Sequence, residues 1–548
     1  MLFNSLQYAV FLPIVLALYF AAGRRGYRLQ NQLLVVASYL FYGWWDYRFL
    51  FLIVASTVVD FNTALLVDGA GPTPAQRRRS ALLLVSAALL FATPDWFALS
   101  SGAELGTVLP DTLWGWSPLG AALAWTLISE FWFPALLRLE AARRRRIALT
   151  MSITINLGIL GFFKYFDWFA ASLSTAVESA LGIQLSPLTL GLILPVGISF
   201  YTLQTISYSV DVYRGELRAS TSLVDFAAYV AFFPQLVAGP IERGRHLIPQ
   251  FQRPRTTSWE DVRQGSWLIG WGLFKKIAIA DPISRIVGQS FGPYDQLTVL
   301  AAPEDGVRIL VAVYAFAIQI YADFSGYSDI ARGSARLLGF DIMLNFRLPY
   351  FSVDPSSFWD RWHISLSTWL RDYLYIPLGG NRSGRARTYS NLLVTMLVGG
   401  VWHGAAWTFV IWGAFPGIVV AVYRALRVPR GAAQLSWPRS VLQGLLMFHL
   451  VCFGWLLFRA QNLETVGFFV QALARDFHWT AQAGHDFYVL GLIAWPLLVI
   501  QACQWWSGRL DVVLTWPKLA QAYVWAFLVL GIVAHSNNTT AEFIYFAF

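Results

Sequence analysis

Long apolar runs separated by short polar loops dominate the chain, and their length predicts helices that lie in a membrane. Over the first 170 residues apolar segments fall near 6–22, 31–44, 49–67, 80–93, 119–137 and 147–169. A straight crossing of the hydrocarbon core takes about 20 residues, so some of these helices cross only partly. Further runs follow near 265–289, 307–330, 404–423, 440–458, 486–503 and 516–534. Two middle stretches break the pattern. Residues 191–211 (GLILPVGISFYTLQTISYSVD) carry a proline and several hydroxyls, and 226–241 (FAAYVAFFPQLVAGPI) are interrupted by Pro234, Gly239 and Pro240. Broken backbone at membrane depth is tolerated where protein or a water-filled cavity satisfies the freed groups. These stretches predict short, tilted or re-entrant helices lining a cavity; ordinary kinked helices packed on neighbours are the alternative. The whole pattern predicts an all-α, polytopic integral membrane protein with 11 to 13 membrane-embedded helices, some re-entrant or interfacial.

The stretch from Asp354 to His403 departs from this pattern. Asp354 before Pro355 is a helix-start signal, a capping side chain followed by proline at the first helical position. Trp359, Trp362, Leu366, Trp369, Leu370 and Tyr373 then recur at spacings of three and four, the period of one helix face. Asp360, Arg361, His363, Ser367, Arg371 and Asp372 lie largely off that face. The expectation is one amphipathic helix, too polar to span a bilayer, ending near Pro377 with Gly379 and Gly380 as a turn. It could lie in the interface, or be buried with its polar face toward a cavity. His403 has a different setting, a run of some 27 residues without a charged side chain, with Gly399, Gly400 and Gly404 beside it. Those glycines would let a backbone or a substrate approach closely.

Composition sharpens the class. The 548 residues are 57% hydrophobic and 13% charged, where a soluble domain carries roughly 25% charge. Aromatic residues make up 16%, including 25 Trp, which suits a protein with two membrane–water interfaces. The net charge of +9 sits in short loops, which argues for topology-setting clusters and against nucleic-acid binding. Arg24, Arg25 and Arg28 follow the first segment, Arg77 to Arg79 the third, and Arg143 to Arg146 the fifth. The intervening loop 94–118 and the stretch 170–190 have no Lys or Arg. Every second loop is basic, which predicts a periplasmic N-terminus and cytoplasmic Arg clusters. No positive charge precedes the first apolar run, so it is expected to be a retained helix and not a cleaved signal. Cys452 and Cys503 lie in apolar runs and suggest no disulfide framework. With no repeat of fixed period, a single domain over 1–548 is expected: N-terminal helices 1–170, a core at 190–425 and C-terminal helices 440–548. The loop 428–439 is the best internal boundary.

Candidate chemistry centres on the two histidines. A titratable imidazole in a glycine-lined, low-dielectric site suits general-base work, taking a proton from a hydroxyl as it attacks a thioester carbonyl. His363 could supply a second hydrogen bond, orienting the nucleophile or steadying the oxyanion. A histidine merely satisfied between helices is the competing explanation. Asp323 and Asp329 stand near the end of the 307–330 run, where a carboxylate must be paired, hydrated or interfacial. A functional role and a structural one, such as bonding Arg332 or Arg336, both fit. No G-x-S-x-G elbow, phosphate-cradling or dinucleotide motif is present; zinc binding by the two histidines with a nearby aspartate is a minor alternative, because no H-x-x-x-H spacing appears.

FWDRWHISLSTWLRDYLYIPLGGNR followed by GGVWHGAAWTFVIWG closely resembles the membrane-bound O-acyltransferase (MBOAT) family, and within it the alginate O-acetylation branch. The likeness extends along nearly the whole chain, through MLFNSLQYAVFLPIV, SYLFYGWWDYRFLFLI, LPVGISFYTLQTISYSVDVYRG, FFPQLVAGPIER, IQIYADFSGYSDIA, FGWLLFRAQNL and the terminal EFIYFAF. The resemblance implies that His403 is the catalytic base. It sets His363 at a position that is Asn, Asp or His across the family. Asp360 stands where many relatives carry a basic residue. A tunnelled helical core is implied, and Trp402, Gly404, Trp359, Arg361, Ser367, Asp323, Tyr321 and Gln235 are its candidate lining or substrate contacts. The implied donor is acetyl-CoA or another cytoplasmic acyl thioester, with no bound cofactor. The implied setting is the bacterial inner membrane, with periplasmic partner proteins completing transfer to an exported polysaccharide of alginate, cellulose or peptidoglycan type. A teichoic-acid D-alanyl transfer protein and a non-catalytic transporter are the alternatives.

Overall fold

The computed structural model describes residues 1–92, 102, 113–237, 239–295, 305–431, 435–536 and 543–544. Most of the loop 94–118, part of the loop 428–439 and most of the terminal EFIYFAF lie outside them. Among the described residues the regular structure is helical, with no β-strand. Among the described residues, nine helical stretches are long and apolar enough to cross a membrane. The chain is a multi-pass membrane protein, as the hydropathy pattern predicts. Contacts divide it into two compact units, Met1–Thr257 with Leu337–Ile342, and Ser258–Arg336 with Met343–Phe548.

The first unit contains α1 (Leu6–Gly23), α2 (Tyr27–Asp46), α3 (Leu50–Asp68), α4 (Pro74–Phe91), α5 (Leu113–Leu137), α6 (Ala141–Leu160), α7 (Phe166–Leu181), α8 (Ile198–Arg214), α9 (Leu223–Ala231), α10 (Phe233–Leu236) and α11 (Gly244–Phe251). Their ends follow ordinary capping chemistry. Thr73 and Gln76 form a capping box in front of Pro74, and Gly69 closes α3 in the left-handed conformation that glycine adopts without strain. Asp46 turns the chain between α2 and α3, accepting the Arg48 backbone N–H at 2.9 Å. The hydroxyls of 191–211 are explained here. Thr205 and Ser209 of α8 join Ser56 of α3 and Ser152 and Asn156 of α6 around the Asp60 carboxylate, all essentially buried. Asn156 donates to both Asp60 oxygens, at 3.0 and 2.9 Å, and Ser152 donates to Oδ1. Neutral donors from neighbouring helices thus solvate a buried carboxylate, as a polar group in an apolar bundle requires. Of the two readings of 191–211, packed helices describe α8, while residues 182–195 are irregular.

The second unit contains α12 (Trp259–Phe274), α13 (Asp281–Asp295), α14 (Gly306–Leu337), α15 (Pro355–Trp359), α16 (Ile364–Leu370), α17 (Gly384–His403), α18 (Trp407–Ala425), α19 (Trp437–Arg459), α20 (Leu463–Arg475), α21 (Ala481–Ser507) and α22 (Lys518–His535). A π-helical turn at Lys275–Ala280 links α12 to α13. Helices α11 and α20 were not expected from hydropathy, being short and interleaved with polar residues.

One expectation fails. The stretch from Asp354 is not one amphipathic helix. It begins as predicted, with Asp354 capping and Pro355 at the first position, but α15 ends at Trp359. His363 takes a left-handed backbone (φ 45°, ψ 53°) before α16 starts. A π-turn at Arg371–Tyr375 follows, and Gly379 and Gly380 make the expected turn with positive φ. The aromatic spacing carries across two short helices and so conceals the break. His363 consequently does not sit on a polar face; it is buried, 1% exposed.

Candidate active site

The site is assembled in the second unit around His363 and His403. His363 is placed by Asn345, in the irregular segment between α14 and α15. The Asn345 carbonyl accepts the Ile364 N–H at 3.0 Å. Its side-chain Oδ1 accepts from the Ser365 N–H at 3.3 Å and the Ser365 hydroxyl at 3.0 Å, while its Nδ2 donates to Ser328 Oγ at 3.3 Å. A backbone N–H can only donate, so the oxygen of Asn345 is fixed toward Ser365. His363 Nδ1 lies 3.1 Å from that same oxygen and therefore carries the proton, which leaves Nε2 as the acceptor nitrogen. Burial, which disfavours the charged form, pushes the His363 imidazole down to about 3. The ring is a neutral group of defined tautomer.

His403 is the last residue of α17, not the middle of a span as its uncharged run suggested. It is buried, 6% exposed, and its ring centroid lies 6.3 Å from that of His363. Aromatic rings surround it, with Trp402 and Trp412 at 4.9 Å and Phe458 at 5.5 Å. Close helix packing places Trp412 there. A Cβ on Gly400 would fall 2.4 Å from the Phe409 carbonyl oxygen and 2.8 Å from the Gly413 Cα. One on Gly404 would fall 2.1 Å from the Phe409 ring. The glycines flanking His403 therefore admit α18, a neighbouring backbone and its rings.

The remaining candidates are spread around this centre. Trp402 and Gly404 adjoin His403 and are buried. Trp359 stands 6.2 Å from Trp412, ring to ring. Ser367 donates to the Trp362 carbonyl at 3.1 Å. Arg361 stacks its guanidinium over Trp505 at 5.3 Å. Tyr321 packs against Phe346, Tyr350 and Trp362. Asp323 belongs to a buried ionic cluster: Lys276 bridges Asp323 at 3.0 Å and Asp281 at 2.8 Å, and the other Asp323 oxygen accepts the Ile544 N–H at 2.8 Å. Asp329 pairs with Lys275 at 2.6 Å, more closely than with Arg332 at 3.7 Å, and Arg336 bonds Asp261 instead. The lysines that neutralise these carboxylates were the unrecognised half of the cluster. Gln235 lies in the first unit, where its side chain donates to the Tyr229 carbonyl at 3.0 Å. Asn345, Ser365, Trp412 and Phe458 were not singled out in the sequence. Only the apolar surroundings of a lone asparagine could have hinted at Asn345.

Helices long and apolar enough to cross a membrane, and two buried histidines enclosed by aromatic rings, define a polytopic membrane protein with a polar pair inside its second unit. The chain belongs to the membrane-bound O-acyltransferase family: that family's model matches residues 214–453, a span containing both histidines. It is 38% identical over 474 residues to a probable alginate O-acetylase of Azotobacter vinelandii, covering 86% of this chain and 77% of the relative. It is 36% identical over 347 residues to a peptidoglycan O-acetyltransferase of Helicobacter pylori, covering 59% of this chain and 63% of the relative. A teichoic acid D-alanyltransferase of Streptococcus thermophilus is 30% identical over 239 residues, 41% of this chain and 56% of the relative. The chain is an O-acyltransferase, an enzyme that draws on an acyl donor.

Proposed function

We propose that this enzyme moves an acetyl group from a cytoplasmic thioester, acetyl-CoA, toward hydroxyls of an exported polysaccharide, with His403 as general base. The observation that carries this reading is the pairing of His403 with His363 at 6.3 Å in a buried aromatic chamber. A hydroxyl oxygen attacks the thioester carbonyl carbon as His403 takes the hydroxyl proton. The tetrahedral intermediate then collapses, the C–S bond breaks, and the imidazolium returns the proton to the departing thiolate. The Nδ1–H tautomer imposed by Asn345 leaves His363 an acceptor at Nε2, which suits orienting a hydroxyl better than donating to an oxyanion. Trp402, Gly404 and Trp359 line the chamber in this reading. Asp323 and Tyr321 act on it through packing.

The alternating Arg clusters support an inner-membrane orientation with a periplasmic N-terminus, the donor reaching the site from the cytoplasm. Residues 1–548 work as one catalytic domain in this proposal, with periplasmic partner proteins receiving the acetyl group on the far side. His403→Ala should lower polymer-bound acetate by about 10²–10⁴-fold at equal membrane abundance, the range general-base catalysis supplies. Undiminished acetylation in that variant would overturn the assignment. D-alanyl esters in place of acetyl esters on the polymer would favour the D-alanyl transfer reading.

A further inference from the structure

A partly open pocket lies in the second unit among α15, α18 and α19, and its lining is apolar, including Trp359, Trp412, Phe415, Val419, Met447 and Trp455. Trp412 belongs to two environments. It lines this pocket, and its ring also meets the His403 ring at 4.9 Å and 83°. It is held from both sides, stacked near Trp455 (6.4 Å, 17°) and edge-on to Trp359 (6.2 Å), both pocket residues. The tight Gly400–Gly413 crossing fixes its backbone next to α17. The indole is thus a shared wall between the proposed base and an apolar pocket.

We propose that Trp412 sets the acyl-chain length of the donor: its indole closes the apolar pocket off from His403 and restricts transfer to short acyl groups. The proposal rests on acyl transfer at His403. A donor acyl chain must place its carbonyl at the base, so its aliphatic tail projects into whatever lies beside the imidazole. With Trp402, Trp412 and Phe458 around that ring, a tail longer than a methyl group meets packed aromatic carbon. The apolar volume that would receive it lies behind one of those rings. Each methylene that an apolar site accepts or rejects is worth roughly 10–200-fold in kcat/KM. Replacing the indole with a smaller group joins the pocket to the reaction site and inverts the penalty on longer chains.

The test uses full-length enzyme in membranes and measures thiol release from acetyl-, butyryl- and hexanoyl-CoA, counting transfer and hydrolysis alike. The wild type should favour acetyl and fall steeply with each added methylene pair. Trp412→Ala should raise the hexanoyl-to-acetyl ratio by about tenfold or more, with Trp412→Leu and Trp412→Phe showing smaller gains in order of side-chain bulk. Refilling the pocket from another lining residue, by Val419→Trp in the Trp412→Ala background, should return the ratio toward the wild-type value. Should the alanine variant fail to accumulate, the leucine and phenylalanine variants carry the same comparison. An unchanged ratio across folded variants would overturn the proposal while wild-type acetyl activity stood. So would a gain that the refilled pocket does not reverse, because loosening around His403 would then be its source. Wild-type enzyme releasing thiol from none of the donors would instead overturn the acyl-transfer reading, and this proposal with it.

Discussion

The chemistry of a histidine depends on which ring nitrogen carries the proton, and at His363 that choice is made by an amide eighteen residues earlier in the chain. The histidines themselves were legible, because polar side chains in apolar surroundings stand out. Asn345 was not, since its role comes from a loop that folds back onto the start of α16. His246 shows the same dependence on neighbours in the first unit. Asp341 and Glu242 raise its imidazole to about 10, with the buried Glu242 the nearer, at 2.9 Å. A folded pKa above the unfolded value of about 6.5 means the charged histidine stabilises the fold. That contribution is complete below about pH 6.5 and disappears as pH rises through 10. His246→Gln should therefore lower the melting temperature of detergent-solubilised protein at pH 6, and the deficit should shrink steadily toward pH 10. A deficit independent of pH would show that the ion pair has no such role.

Among helices, the long apolar runs were found near their predicted positions because burial in lipid demands long apolar stretches whatever the tertiary detail. The breaks were harder to see. A spacing of three and four is equally compatible with one helix from Pro355 to Tyr375 and with α15 and α16 joined at an irregular residue, and only the tertiary hydrogen bonds of Asn345 decide. The glycines around His403 stand out in the sequence, but the partner they admit is the backbone of α18, which local pattern does not place there. Gly400→Ala would drive a methyl group into the backbone of α18, so a loss of about 1–3 kcal/mol is expected. It should appear as reduced yield and a lower melting temperature. Gly491 of α21 has open space where a Cβ would go, and Gly491→Ala should be neutral or mildly stabilising. Equal effects at the two positions would contradict the packing described for α17 and α18.

For the molecule as a whole, the sequence order of the two units is interleaved. Leu337–Ile342 leaves the end of α14 to complete the first unit. There the Tyr19 hydroxyl donates to the Leu338 carbonyl at 2.9 Å, Phe340 packs on Phe232 and Phe251 at 4.7 Å each, and Arg255 covers the Phe340 ring at 4.7 Å. Gln250 pairs with the Asp341 backbone in both directions, at 2.9 Å each way. Nothing in local hydropathy announces such an exchange, because a short stretch at the end of a helix looks like any loop. Phe340→Ala should cost about 3–5 kcal/mol, the usual range for deleting a buried aromatic ring. Thermal unfolding of the purified chain would measure it, and a cost below 1 kcal/mol would mean the segment is dispensable to the first unit.

The left-handed backbone at His363 also governs how that position can be interrogated. A side chain there costs roughly 1–2 kcal/mol unless the residue is glycine or one of the short polar types that bond locally, and Asn, Asp and His are the non-glycine residues most often found in that region. Histidine is therefore a residue type that the main chain at this position accepts. An alanine or glutamine replacement changes two things together, the imidazole and the conformational cost. Asparagine changes one. His363→Asn should melt no lower than the wild type, so its turnover would isolate the contribution of the ring, whereas His363→Gln should lose stability first and obscure it.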